Sequence, residues 1–220
     1  MITNNGASQA PNRNKLRKLA VSLAVGAVVG FLGASAVLHF ADRGVLGQAG
    51  PSVEVALLVA TLYGATGLMI GVGTLSPATG AKFLNVEDAE ELREQRRMLA
   101  YNAGGLVAFG LVLAMVALAA PAGPLAPSVS LVGALAFFVV AVALSLRQMR
   151  YVDELLRTVS REAGATAFHL TVLVGGGWAV LAHLGYTAAP RPLDWLTLFA
   201  VLMLLGAFWA CGRRGLLTPR

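Results

Sequence analysis

Apolar residues run through this chain in six long stretches, at 19–40, 53–75, 98–120, 129–146, 164–186 and 193–211, and most charged residues fall between them. A helix needs about 20 apolar residues to cross the hydrocarbon of a bilayer, and a charge held there is costly. Each stretch is therefore expected to be a membrane-spanning helix. No charged residue occurs between Arg97 and Arg147, a run too long for one helix. Pro121, Pro124 and Pro127 divide it, because proline removes a backbone donor and marks a turn between antiparallel spans. The expected fold class is all-α, a polytopic membrane helical bundle of six transmembrane helices forming one domain over 19–212.

Lysine and arginine set the expected orientation. Arg13, Lys15, Arg17 and Lys18 precede the first span, and Lys82, Arg93, Arg96 and Arg97 lie between the second and third. Arg147, Arg150, Arg157 and Arg161 separate the fourth and fifth, and Arg213, Arg214 and Arg220 follow the sixth, leaving only Arg43 and Arg191 in the alternate loops. Fifteen of the seventeen basic residues thus fall on one side of an even-numbered fold. The positive-inside rule assigns that side to the cytoplasm, giving N-in, C-in and three helical hairpins. A basic cytoplasmic tail at 1–18 is expected to lack fixed structure, 213–220 forms a second tail, and 85–97 and 150–162 are expected as charged cytoplasmic helices.

The first span carries an alternative. Its basic lead and Gly/Ala-rich apolar run end in Ala34-Ser35-Ala36, a small-x-small pattern like that of a signal-peptide cleavage site, and cleavage there would leave five spans. The apolar run continues through Val37, Leu38 and Phe40 to full spanning length, which favours six.

Composition agrees with a membrane solvent. Hydrophobic residues make up 57% of the 220 and charged ones 13%, against about 25% charged in soluble domains. A net charge of +6 would suggest nucleic acid in a soluble protein. Here the charges flank apolar segments, so the lipid bilayer is the expected partner and nucleic acid is not. Cys211 is the single cysteine, which excludes an intramolecular disulfide and a cysteine-based zinc site. Short loops and a basic balance fit a bacterial inner membrane.

A faint internal repeat places a charged segment before two spans: Glu91-Leu92 with Arg96-Arg97 before the third, and Glu154-Leu155-Leu156-Arg157 with Arg161 before the fifth. Positive-inside topology alone produces much of this pattern. The second segment, Tyr151-Val152-Asp153-Glu154-Leu155-Leu156-Arg157 with Glu162-Ala163 ahead of an apolar span, resembles small bacterial multi-span inner-membrane proteins over about residues 150–185. The resemblance implies an inner-membrane location and no particular function.

Residues that carry chemistry are few. His39, Glu54 and His183 each stand near the outer end of a span. A histidine pair, His39 with His183, is the chemistry that ligates haem b, and adding Glu54 makes a zinc-like donor set. The bland reading is interfacial solvation, and no cofactor is the favoured expectation. His169 lies deeper, fourteen residues before His183 and nearly on the same helix face, and is expected to bond a neighbouring helix.

Small residues recur inside the spans. Gly26 with Gly30, and Gly67 with Gly71, form G-x-x-x-G, which lets helix backbones approach closely within the chain or in a homo-oligomer. Gly175-Gly176-Gly177 interrupts the fifth span, either as a packing site or as a broken helix beside a substrate site, as in transporters.

Between 87 and 97 the acids Glu87, Asp88, Glu90, Glu91 and Glu94 come early and Arg93, Arg96 and Arg97 late, which suits a helix dipole with Asn85 as N-cap. Glu90 with Arg93 and Glu94 with Arg97 are spaced i,i+3, and Asp153 with Arg157 i,i+4, for ion pairing. Glu90, Glu91, Arg93, Arg97, Arg157 and Arg161 are also the candidates for docking a cytoplasmic protein. Asp88 and Asp153 stand alone, unlike the paired aspartates of a metal-diphosphate site.

The lysines, Lys15, Lys18 and Lys82, all lie outside the spans, which excludes a retinal Schiff base. G-x-S-x-G, H-E-x-x-H and Walker A motifs do not occur, so an enzyme is not the favoured class. The favoured function is interaction or assembly in the membrane, with a homo-oligomer or another membrane protein as partner. The alternatives are a small secondary transporter or channel using Gly175 to Gly177, and a haem or metal electron-transfer protein using His39 and His183.

Overall fold

A computed structural model of the chain describes residues 13–44, 50–81, 84, 86 and 89–217. The segment 1–12, Lys82, Asn85, Glu87, Asp88 and Arg220, and the side chains of Arg13, Lys15, Arg17 and Lys18, lie outside the described residues. The helices are α1 (Arg13–Asp42), α2 (Pro51–Leu75), α3 (Pro77–Gly80), α4 (Ala89–Glu94), α5 (Arg96–Ala117), α6 (Pro127–Gln148), α7 (Glu154–Leu170), α8 (Gly177–His183) and α9 (Pro192–Arg213), with a π-helical turn at Thr171–Gly176 joining α7 to α8. No strand occurs among the described residues. Six helical stretches are long and apolar enough to cross a membrane, counting α7, the π turn and α8 as one.

Local chemistry explains where these helices begin and stop. Pro51, Pro127 and Pro192 each stand at the start of a span, where the missing N–H costs nothing and the fixed φ is already helical. Asp153 starts α7 instead, its carboxylate accepting the Leu156 N–H at 2.7 Å. Gly185 and Gly215 end α8 and α9 at φ +79° and +69°. In each the next residue bonds back, Tyr186 N–H to Leu181 O and Leu216 N–H to Cys211 O, closing the last turn.

Two differences from the sequence expectation concern the charged segments. The 85–97 helix divides at Gln95 into α4 and α5, both outside any described cap from Asn85. Asp153, expected to pair with Arg157, is used as the α7 cap, and of the two i,i+3 pairs Glu90 with Arg93 forms at 2.8 Å. No ion pair joins Glu94 to Arg97 among the described residues.

The packed centre is built on α2, α5 and α9. Val59, Ala60 and Tyr63 of α2, Leu113 of α5 and Ala200 of α9 are buried together. Helix α5 lies antiparallel to α2: a Cβ on Gly67 would fall 2.6 Å from the Ala103 carbonyl oxygen, and one on Gly110 would fall 2.8 Å from the Ala60 carbonyl oxygen. Such distances admit glycine alone, and they bring two backbones into dispersion contact, the main source of helix association where lipid removes the hydrophobic drive. Gly206 does the same for α9 on α7, 2.6 Å from the Ala163 carbonyl oxygen.

Tyr63 joins the third helix. Its hydroxyl donates to the Ala200 carbonyl at 2.8 Å, and its ring meets Phe109 edge-on at 4.9 Å. Tyr63→Phe keeps the ring and deletes the bond, so a loss of about 0.6–1 kcal/mol is expected in reversible unfolding from mixed micelles.

Helix α1 is different. It touches α2 through Gly33 against Thr61 and through Val37 beside the Val53, Ala56 and Leu57 cluster. Towards its N-terminus the two helices diverge, leaving apolar clefts of about 460 and 570 Å³ on the two sides of the α1/α2 line. Among its described residues no part of its apolar run is buried, in contrast to the other five candidate spans.

Candidate functional site

The sequence candidates distribute over both ends of the bundle. His39 is exposed in the last turn of α1 beside the Phe40 ring, Glu54 is half-buried in the first turn of α2, and His183 is exposed in the last turn of α8. An acid early and a histidine late in a helix both suit its dipole without a ligand. No three His, Cys, Asp or Glu side chains come together as a metal-holding group among the described residues, so His39, Glu54 and His183 do not converge into such a group.

His169 departs from its expected place. It is exposed, and its Nδ1 lies 2.7 Å from the Ala165 carbonyl oxygen of its own helix, the geometry of an N–H donated one turn back. A neighbouring helix is not needed to satisfy it.

The glycine triplet does not break the helix. Leu170 to Gly177 keep right-handed helical dihedrals through the π turn, in which one extra residue is accommodated per turn. Gly175 is buried where a Cβ would come within 2.7 Å of the Trp195 ring, while Gly176 and Gly177 have nothing within 4 Å. The cavity above this contact, about 380 Å³, is walled by Trp178, Asp194, Thr197 and Leu198 rather than by the triplet.

The two G-x-x-x-G motifs separate completely. Gly67 and Gly71 face α5, the second 3.8 Å from the Ala103 Cβ. Among the described residues Gly26 and Gly30 have nothing within 4 Å of where a Cβ would stand, although both follow the stripe that carries Gly33 onto α2.

Most charged candidates gather at one end. Tyr101 of α5 stacks on Tyr151 at 5.7 Å with the rings 22° apart. Beside them Arg93, Glu94, Gln95, Arg97, Met98 and Tyr151 line a cleft of about 440 Å³. Glu90 is held by Arg93, and Glu91 by Gln95 at 2.9 Å. Arg157 and Arg161 project from α7 and are exposed.

One contact at this end was not among the sequence candidates. Arg214, just past α9, makes a two-pronged ion pair with Glu162 of α7, the Nε bond measuring 3.2 Å. The carboxylate raises the Arg214 pKa still further above its ordinary value, by hydrogen bonding first and charge second. Both side chains are more than a third exposed, so solvent screens the pair. Glu162→Gln is expected to lower the thermal unfolding midpoint only slightly, with the difference shrinking in high salt.

No protein-family model, curated protein or solved structure matches this chain.

Proposed function

We propose that this chain is an assembly component of a bacterial inner membrane, a six-span, N-in/C-in protein of three hairpins whose first span docks another membrane helix. The supporting observation is the contrast between its two G-x-x-x-G motifs: the α2 motif is filled by α5, and the α1 motif, Gly26 and Gly30, faces open space. Close backbone approach is what that motif supplies, and among the described residues nothing uses it at α1. A second copy of the chain is the proposed partner, because identical α1 stripes meet about a twofold axis in a self-complementary contact. The orientation draws support from the basic residues, fifteen of seventeen on one side of the alternating spans.

The test is the mass of the purified particle in a mild non-ionic detergent. Two chains per particle are expected; a particle that stays at one chain at every concentration overturns the reading.

The transporter or channel alternative draws on one observation, the π turn at Thr171–Gly176 in mid-span, since such turns are frequent at functional sites. Substrate flux unchanged by Gly176→Leu would count against it.

A further inference from the structure

A second apolar feature adjoins the α1 clefts and shares Leu68 and Val72 of α2 with one of them. An apolar groove of about 580 Å³ runs between α2, α5 and α6, floored by Ala103 and Gly104 and walled by Leu68, Val72, Val140 and Leu144. Along α5 it extends from Ala100 to Leu111, about 16 Å at the helical rise. That is one leaflet's share of a hydrocarbon core about 30 Å thick.

The groove has a polar head. Arg97 stands one turn before Ala100 and two turns before Gly104 on the same face of α5, because steps of three, four and seven residues return to one side of a helix. Arg97 lines the 440 Å³ cleft with Arg93, Glu94 and Tyr151. Tyr151 follows α6, and α6 also supplies Leu144 to the groove, so cleft and groove both border α5 and the α6 side of it. Arg93 is already bonded to Glu90. Arg97 makes no ion pair among the described residues, nor do Arg96 and Arg150, which flank the cleft in sequence.

From this juxtaposition we infer that the α5–α6 end is a binding site for one anionic phospholipid. Its phosphodiester sits against the Arg97 guanidinium, whose planar fork matches phosphate oxygens. One acyl chain lies in the α2/α5/α6 groove, and Glu94 accepts from headgroup hydroxyls. The site requires that the chain span the membrane and is independent of assembly through α1.

The experiment titrates phosphatidylglycerol and phosphatidylcholine into the delipidated full-length protein in detergent, counting bound lipid by native mass spectrometry. One phosphatidylglycerol is expected per chain, held about tenfold more tightly than phosphatidylcholine. Arg97→Gln is expected to weaken it about fivefold, and Val140→Trp, which fills the groove from a lipid-exposed position, to weaken both lipids. Arg43→Gln, at the other end, is the control and should change nothing. Equal affinity for the two lipids, or unchanged affinity in Arg97→Gln, overturns the site. Displacement of the lipid by inorganic phosphate shows a free-anion site and overturns it as well. Helix content by circular dichroism confirms that each variant is folded, and Val140→Trp keeps the inference falsifiable if Arg97→Gln is not.

Discussion

Replacing Gly110 by leucine is expected to give the largest loss of stability of any single change in the spans, about 3 kcal/mol or more. A Cβ there would lie 2.8 Å from the Ala60 carbonyl oxygen and 3.0 Å from the Gly64 amide nitrogen. Both are backbone atoms of α2, so no side chain can rotate away. The helices must separate, and separation strips contacts from Leu113, which is fully buried, and draws Tyr63 off the Ala200 carbonyl. Nothing in lipid repays that loss, since acyl chains are as apolar as the side chains they would replace. Reversible unfolding in mixed micelles measures the effect, with Gly177→Leu as the control where nothing stands within 4 Å.

The double change Gly26→Leu/Gly30→Leu is expected to do the reverse: leave the fold intact and abolish assembly. Neither glycine meets any atom within 4 Å among the described residues, and the cleft they line is about 460 Å³. Monomer stability should stay within about 0.5 kcal/mol of the parent. Two leucines on the stripe, however, hold a partner backbone away, and dimer dissociation is expected to become at least about tenfold more favourable, or about 1.4 kcal/mol. Analytical ultracentrifugation over a range of protein-to-detergent ratios reads the change directly.

The spans were legible because hydropathy and length are local properties, and so were the proline starts at Pro51, Pro127 and Pro192. Partner choice was not. Gly26/Gly30 and Gly67/Gly71 are the same motif in the sequence, yet one is filled and one is open, a difference set by where α5 packs. Gly110 and Gly206 are lone glycines in the sequence, although Gly206 with Ala210, and Ala163 with Ala167, carry the small-xxx-small spacing that marks a close helix contact. The Glu162–Arg214 pair spans 52 positions, beyond any periodicity.

At the candidate sites the sequence identified residue types better than surroundings. His169 was expected to bond another helix and instead satisfies itself on Ala165. In the sequence, the triplet Gly175 to Gly177 allows either packing or a break. It proved to be one buried contact with Trp195 followed by two open positions, within a continuous π-containing helix. Arg93 and Arg97 were read on a charged cytoplasmic helix, but the cleft they share exists because Tyr151, more than fifty residues later, stacks on Tyr101.

Disulfide trapping in native membranes tests assembly through α1 most directly. Val29 lies on the same side of α1 as Gly26 and Gly30 and lines both clefts. In a Cys211→Ser background, Val29→Cys is expected to give a covalent dimer on mild oxidation, and adding Gly26→Leu/Gly30→Leu to remove it. The contradicting result is a Val29→Cys chain that stays monomeric, or one that crosslinks no better than Val132→Cys on the exposed face of α6.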